Sequence, residues 1–402
     1  MQMVPLGDLF QIGSSKRVLK SQWKTEGVPF YRGREITRLA ADGFVDNELF
    51  ISEDHYAELA GQYGAPKVGD IVITAIGTIG NSHIVRECDK FYFKDASVLW
   101  MKRTADVSSE FINLWLKSPL FFDQLDRGNG ATVDTLTIQK FQSVKLPLPP
   151  LPEQQRIVGI LDEAFAGLAT AQANAEKNLQ NARALFESHL QSVFNQRGEG
   201  WVETTLEKVL AVQPQNGWSP PAANHSDSGT PVLTLSSVTG FRFRPDKLKF
   251  TSASTDSRRN YWVKNGDFLI TRSNTPELVG HVAIAAGISE PTIYPDLIMR
   301  MNPMPDHMMT EFLYYQMRTR ALRKEITGRA QGANPTMKKI SNGAVKTLPI
   351  AVPPIAAQRA IVDSLNALAA ETQRLESIYQ RKLAALDALK KSLLHQAFTG
   401  QL

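Results

Sequence analysis

The sequence predicts an α+β protein in which two similar mixed domains are separated by two long helices that pack antiparallel as a coiled coil. Three observations carry that prediction. The chain repeats itself in order, each copy changes once from strand-like to helical texture, and each helical stretch carries a single apolar stripe.

The repeat is legible at several places. Lys67-Val68-Gly69-Asp70-Ile71-Val72-Ile73-Thr74 matches Lys264-Asn265-Gly266-Asp267-Phe268-Leu269-Ile270-Thr271. The segment LPLPPLPEQQRIVGILD (146–162) matches LPIAVPPIAAQRAIVDSLN (348–366), with two extra residues in the second copy. SHLQSVF (188–194) returns as SLLHQAF (392–398), Gly130-Ala131 as Gly332-Ala333, and Pro29 as Pro231. Five ordered matches divide the 402 residues into two halves of about 200.

Each half begins with short apolar runs punctuated by Gly, Pro, Asn and Asp, the texture of strands and turns. KVGDIVITAIGTIGNSHIV reads as a hairpin around a Gly-rich tip, and KNGDFLITRSNTPELVGHVAIAA as the same hairpin with a longer tip. A proline cluster (Pro147, Pro149, Pro150, Pro152) then precedes more than 40 residues without proline, which marks a helix start, since proline is tolerated in a first helical turn but not inside.

That helix, roughly 153–195, places Ile157, Leu161, Phe165, Leu168, Ala175, Leu179, Ala182, Phe186, Leu190 and Val193 on one face. The second, roughly 356–398, does the same with Ile361, Leu365, Leu368, Leu375, Ile378, Leu383, Leu386, Leu389 and Leu393. A helix of about 43 residues spans about 65 Å. With one apolar stripe it needs a partner helix, and the other copy is the obvious one. The expected division is therefore a first domain over 1–150, a long helix over 151–198, a second domain over 199–350 and a second long helix over 351–402.

Charge bounds the partner. The net charge is only +5, but residues 14–38 hold seven Lys/Arg against two Glu, and residues 241–272 hold eight against three Asp. Two separate basic segments suggest two contacts with a polyanion. No run of 18 apolar residues suggests a membrane span, and the N-terminus lacks a secretory pattern. Cys88, the one cysteine, excludes an intramolecular disulfide, and a reducing cytoplasm is expected.

The residues Leu146-Pro147-Leu148-Pro149-Pro150-Leu151-Pro152-Glu153-Gln154-Gln155-Arg156-Ile157-Val158, opening a long helix that follows each of two variable domains, resemble the specificity subunits of type I restriction–modification enzymes. The Gly-Asp-Ile-x-Ile-Thr hairpins, the Gly77–Gly80 tip and the helix endings at Phe194 with Gly198 and at Phe398-Thr399-Gly400 resemble them as well. The second copy departs twice: Ala356-Ala357-Gln358 lacks the glutamate, and the Arg272–Glu277 tip lacks Gly-Thr-Ile-Gly. The resemblance covers essentially the whole chain. It implies two target recognition domains, each reading one half of a split site in double-stranded DNA, with the helices as spacer. It implies two methyltransferase subunits bound around the helices, and two motor–endonuclease subunits able to join them. S-adenosylmethionine, and ATP with magnesium where a motor is present, would be bound by those partners and no cofactor by this chain.

Catalytic motifs are missing in line with that implication. No Asn/Asp-Pro-Pro-Tyr/Phe sequence is present, Asn302-Pro303-Met304-Pro305 being the nearest approach, and no G-x-x-x-x-G-K-[ST] phosphate loop. Pro295-Asp296 is followed by no Glu-x-Lys, and the seven histidines, His189 and His395 among them, form no metal-ligand spacing. A non-catalytic subunit is expected.

The candidate DNA contacts are then chosen by charge and by position on loops. Lys16, Arg17, Lys20, Lys24, Arg32 and Arg34 form the first basic set, and Arg242, Arg244, Lys247, Lys249, Arg258 and Arg259 the second. Thr74, Thr78 and Asn81 at one hairpin tip, and Arg272, Ser273, Asn274 and Thr275 at the other, are candidates to read base edges. The loop before each helix junction adds Asn129 and Thr132, then Gln331, Asn334 and Lys338. Ordinary turn duty accounts equally well for any one of these. The rival from another class is a coiled-coil structural adaptor with protein-binding β-rich domains, which would leave the two basic segments unexplained.

Overall fold

The computed structural model describes residues 2–125, 135–334 and 336–402. They form two compact units, Met1–Lys177 with Tyr379–Leu402, and Asn178–Ile378. Each unit thus contains one domain together with part of both long helices.

Among the described residues the first unit holds nine strands: β1 (Gln2–Pro5), β2 (Phe10–Gly13), β3 (Val28–Tyr31), β4 (Phe50–Ile51), β5 (Ile71–Thr74), β6 (Ser82–Ile84), β7 (Tyr92–Phe93), β8 (Val98–Arg103) and β9 (Lys145–Leu148). They make an antiparallel sheet of order β2-β8-β5-β6, a smaller sheet β4-β3-β7, and a β1-β9 ladder. In the smaller sheet β3 pairs β4 antiparallel and β7 parallel.

The second unit repeats this plan with β10 (Val202–Thr205), β11 (Leu210–Asn216), β12 (His225–Ser226), β13 (Thr230–Leu233), β14 (Leu248–Thr251), β15 (Trp262–Val263), β16 (Phe268–Thr271), β17 (Ser273–Asn274), β18 (Val282–Ile284), β19 (Thr292–Ile293), β20 (Ile298–Pro303), β21 (Lys338–Lys339) and β22 (Pro349–Val352). The larger sheet runs β11-β20-β16-β18, the same order of equivalents as in the first unit, and β10 pairs β22 as β1 pairs β9. The smaller sheet, β12-β14-β13-β19-β15, again pairs its β13 antiparallel to one neighbour and parallel to β19. The central strands β5 and β16 are buried at every residue, which is why both read as continuous apolar runs rather than alternating ones.

The shared Gly-Asp of the two hairpins turns out to be a structural device. Gly69 and Gly266 lie at φ of +84° and +92°, a conformation L side chains rarely adopt. The next residue, Asp70, accepts from Lys67 N, Trp100 Nε1 and Arg103 N. Asp267 accepts from Lys264 N and Asn302 Nδ2 and pairs with Arg300 at 3.6 Å. Each buried carboxylate ties the turn into the neighbouring strand of the larger sheet, so its lone pairs stay satisfied.

The long helices span Leu151–Asn195 and Ile355–Thr399. In the first unit Arg156 Nη2 donates to Leu402 O, while Lys390 lies over the Phe165 ring. In the second, Arg183 Nε pairs with Glu376 Oε1. One helix advances as the other retreats, so they are antiparallel. Their apolar stripes serve more than each other. Ile157, Leu161, Leu394, Ala397 and Phe398 belong to the first domain's core, and Phe186, Leu190, Phe194, Val362 and Leu365 to the second's. The repeated terminal phenylalanines are explained by this: Phe398 packs edge-on against Phe111 at 5.1 Å, and Phe194 lies tilted against Phe312 at 5.2 Å. Among the described residues no helix is long and apolar enough to cross a membrane.

Candidate nucleic-acid interface

Placing the candidate residues begins with the hairpin tips. Thr74 is buried, donating through Oγ1 to Thr78 O and accepting from Asn81 N. Thr271 does the same with Leu278 O and His281 N. The hydroxyl closes each tip from inside, so Thr74 is corrected from a base reader to a loop fastener. Ser273, in β17, is likewise buried, which keeps its side chain from a base edge, although its hydroxyl has no hydrogen-bond partner among the described residues. Asn81 is half-buried and donates to Thr37 Oγ1, whereas Thr78 is exposed.

In the second unit the tip and the loop before the helix junction, two candidate groups far apart in sequence, come together. β17 pairs with β21, setting Ser273 opposite Lys339 and Asn274 opposite Lys338. Gln331 bridges to Lys339 from the same loop, and Asn334 accepts from Thr336. Asn274 donates to Thr239 Oγ1 and accepts from Thr275 N, and Arg244 donates to Thr239 O. Arg272 donates to Asp296 O and Lys338 to Gly332 O. The first unit has the corresponding bridge, Ile76 to Thr135. Asn129 and Thr132 lie outside the described residues.

The basic segments prove uneven. Lys16, Arg17, Lys20 and Lys24 are exposed. Arg32 and Arg34 are spoken for: both donate to Glu35, which is almost fully buried, and Arg34 also to Glu48. Burial would raise the Glu35 carboxyl, but the arginine hydrogen bonds prevail and hold it down to about 2. In the second unit Arg242 is exposed, Arg244 is used internally, and Arg258 and Arg259 share Asp256 on a separate loop. Among the described residues no group of three or more His, Cys, Asp or Glu is placed to hold a metal ion.

Each domain also opens a cleft at a corresponding edge of its smaller sheet. The first, about 510 Å³, is lined just past β3 by Arg32, Gly33 and Arg34 and just past β7 by Lys94 and Ser97, with Arg38 and the tip residues Thr74, Ile76 and Thr78 completing it. The second, about 610 Å³, is lined just past β13 by Thr234, Leu235 and Ser236 and past β19 by Pro295 and Leu297. Its remaining wall includes Ser219, His225, Lys249 and Phe250. Two copies of one scaffold thus present clefts of different chemistry. Arg38 and Lys94 were not among the residues singled out from sequence. Arg38 stood inside the first basic count, while nothing local marks Lys94.

Comparison with known proteins decides the family. The type I restriction modification DNA specificity domain matches twice, over residues 1–179 and 198–382. The chain belongs to this family. The matched region is, by its family description, a DNA specificity domain. It is 32% identical over 163 residues to the type I specificity subunit S.HindORF215P of Haemophilus influenzae, covering 40% of each chain. It is 25% identical to the EcoKI specificity subunit of Escherichia coli K12 over 82% of this chain and 72% of that one. The chain thus spans less than half the length of the first of these relatives. A solved chain described under complex assembly and conformational transition of the type I R-M system shares the fold, with a TM-score of 0.78 at 19% identity, over 100% of this chain and 98% of that one.

The family's helix-opening motif acquires a physical reading here. Gln154 Oε1 accepts from Ser108 N, the cap of helix Ser109–Trp115, while Nε2 donates to Pro149 O. Gln358 Oε1 accepts from Met309 N, the cap of helix Thr310–Arg318, while Nε2 donates to His307 O and Pro353 O. Both amides are buried. In each specificity domain the glutamine locks the long helix onto the domain that precedes it. Glu153 beside it is far more open and, among the described residues, pairs with Arg156 alone, which fits the Ala357 that the second copy carries there.

Proposed function

We propose that this chain reads a bipartite, asymmetric site in double-stranded DNA, one half per domain, and brings two methyltransferase subunits to it. Two motor–endonuclease subunits join in the restriction complex. The methyltransferase subunits hold S-adenosylmethionine and the motor subunits ATP with magnesium. The whole acts in the bacterial or archaeal cytoplasm, at the nucleoid.

The observation that carries the reading is a cleft at the ends of the same two strands in each domain, lined by three arginines and Lys94 in one and mainly by apolar and hydroxyl side chains, with His225 and Lys249, in the other. Similar scaffolds give each domain a surface to turn to DNA, and unlike linings give unlike half-sites. Exposed Lys16, Arg17, Lys20, Lys24 and Arg242 supply sequence-independent attraction to the backbone, and the exposed or half-buried loop residues Thr78, Asn274, Thr275, Gln331, Asn334 and Lys338 supply polar groups for base edges. The long helices set the gap between half-sites.

The test is to express the chain with its neighbouring methyltransferase gene and map modified adenines across the genome. One two-part consensus with unlike halves and a fixed gap is expected. A continuous or palindromic consensus, or none, overturns the reading.

A further inference from the structure

Arg34, Thr37 and Arg38 share the outward face of helix Gly33–Asp42, because Ile36 and Leu39 turn the opposite face into the core. All three line the first domain's cleft. Lys94 reaches the same cleft from the far side of the smaller sheet, since the parallel register Phe30↔Tyr92 and Tyr31↔Phe93 brings the ends of β3 and β7 together. Of the four cations in the cleft, Arg32 and Arg34 are balanced by Glu35 and Glu48. Among the described residues the side chains of Arg38 and Lys94 make no hydrogen bond or ion pair, Arg38 only feeling Glu48 at longer range. Two positive charges are left uncompensated over a concave surface that also offers the exposed Thr78, the hydroxyls of Thr37 and Ser97 already donating to Gly33 O and Lys94 O. Cations beside a hydroxyl around a hollow suit a phosphate, which takes charge and hydrogen bonds at once.

The second domain supplies the contrast. Its corresponding cleft contains no arginine, and its one lysine is Lys249.

We propose that Arg38 and Lys94 grip a backbone phosphate of the DNA, and that this grip exists in the first domain only. The proposal rests on the DNA-reading role above and adds to it which cations are free to act and what they hold. A phosphate contact carries no sequence information. It therefore anchors the first half-site in register while the loops read it.

The experiment uses the full chain assembled with its methyltransferase subunits, titrated with cognate duplex at several salt concentrations. The wild-type plot of log affinity against log salt has a steep negative slope. Each phosphate contact accounts for about 0.9 of it. Arg38→Ala with Lys94→Ala should make the slope shallower by about one to two, weaken binding at low salt by about tenfold or more, and leave both half-sites of the consensus unaltered. Arg38→Lys should keep most of the slope, because a point charge suffices for phosphate whereas a guanine edge demands the guanidinium fork. Lys249→Ala should leave the slope unchanged to within about half a unit.

A loosened consensus in either alanine variant, or loss of binding in Arg38→Lys equal to that in Arg38→Ala, makes Arg38 a base reader and overturns the proposal. An unchanged slope in the double variant overturns it too. In a second arm, calorimetry with pyrophosphate and no DNA should show no tight binding. Micromolar binding lost in the double variant would mean a small-anion site instead. If the wild-type assembly bound no duplex at all, the DNA-reading role itself would fall, an outcome distinct from a normal wild-type slope that the variants leave untouched.

Discussion

The two domains agree where the backbone must be held and disagree where a ligand is to be met. Asp70 and Asp267 fasten the same turn, Thr74 and Thr271 the same tip, Gln154 and Gln358 the same helix junction. Arg32 and Glu35 stand where Thr234 and Ser237 stand in the other copy. In both, the fourth residue's side chain accepts from the first residue's backbone N–H, at 2.9 Å and 3.0 Å. The serine hydroxyl otherwise donates to Lys247 O, whereas the glutamate gathers two arginines at the cleft. In a duplicated protein, therefore, the matching residues mark the scaffold and the unmatched residues mark the specificity. A matched polar residue is a poor candidate for a ligand contact, which is how Thr74 misleads when read from sequence alone.

The largest break of the comparison is expected at the junction glutamines. Truncating the fully buried Gln358 to alanine takes the partner from Met309 N, His307 O and Pro353 O, of which Pro353 is buried, Met309 half-buried and His307 exposed. Each orphaned group costs on the order of 1–3 kcal/mol, so a loss of about 3 kcal/mol or more is expected. Gln154→Ala orphans two groups and should cost about 2 kcal/mol. Urea unfolding of the two variants measures this. The larger loss in Gln154→Ala would contradict the matched roles.

A second contrast lies at the glycines that close the tips. Gly80 and Gly280 lie at φ of +96° and +72°, and alanine in that region costs about 1–2 kcal/mol by itself. In the first domain a new Cβ would sit 2.8 Å from the far edge of the Phe122 ring, which is 43% exposed and can swing away. In the second it would collide with Ile326, which is fully buried. Gly280→Ala should cost about 3 kcal/mol or more, with overpacking added to strain, and Gly80→Ala about 1–2. Equal melting shifts for the two would show that Ile326 yields as easily as Phe122.

The third contrast depends on pH. His281 occupies the place of Asn81, stacked on Phe241, with Nδ1 accepting from Gly240 N. Burial first, then the Arg323 and Arg318 cations, push its pKa down to about 4 from 6.5. The native state therefore keeps the ring neutral. Above pH 6.5 both states are neutral and the group has no effect. As pH falls toward 4 the unfolded chain takes up a proton that the native chain refuses, and stability is lost, on the order of 3 kcal/mol in full. His281→Asn should remove that loss, so the variant gains on the wild type between pH 7 and pH 4. His83, also pushed down by burial though Asp89 opposes it, and Glu35, whose contribution fades only below about 4.5, act in both proteins and cancel in the difference. A stability difference that is flat across this range would refute the assignment.

Much of this was legible before any coordinates. The repeat, the paired helices and the two hairpins follow from periodicity and from proline and glycine placement, because those signals are local. The clefts are not local. Arg38 and Lys94 meet only through a parallel pairing of short strands with a long connection between them, and no spacing in the chain announces that register. Nor does sequence separate Arg32 from Arg38: both are arginines of one basic segment, and only the buried Glu35 shows that the first is occupied.

The smallest expected effect tests the junction motif itself. Read as a string, Glu153-Gln154 invites equal weight for both residues. In the fold they differ in kind. Glu153 is about one-third exposed and pairs with Arg156 at 2.7 Å, one turn along the same helix. Such solvated pairs contribute little, since long side chains must be fixed to make them and water screens them. Its place in the first helical turn adds a favourable dipole interaction of a few tenths of a kcal/mol. Glu153→Ala should therefore cost under about 1 kcal/mol and leave DNA binding intact, a change the protein has already made at Ala357 in its other half. High salt should shrink even that difference. A cost approaching that of Gln154→Ala, by urea melts in matched buffers, would mean that Glu153 makes a contact with a partner subunit or with the domain that the internal pairing with Arg156 does not reveal.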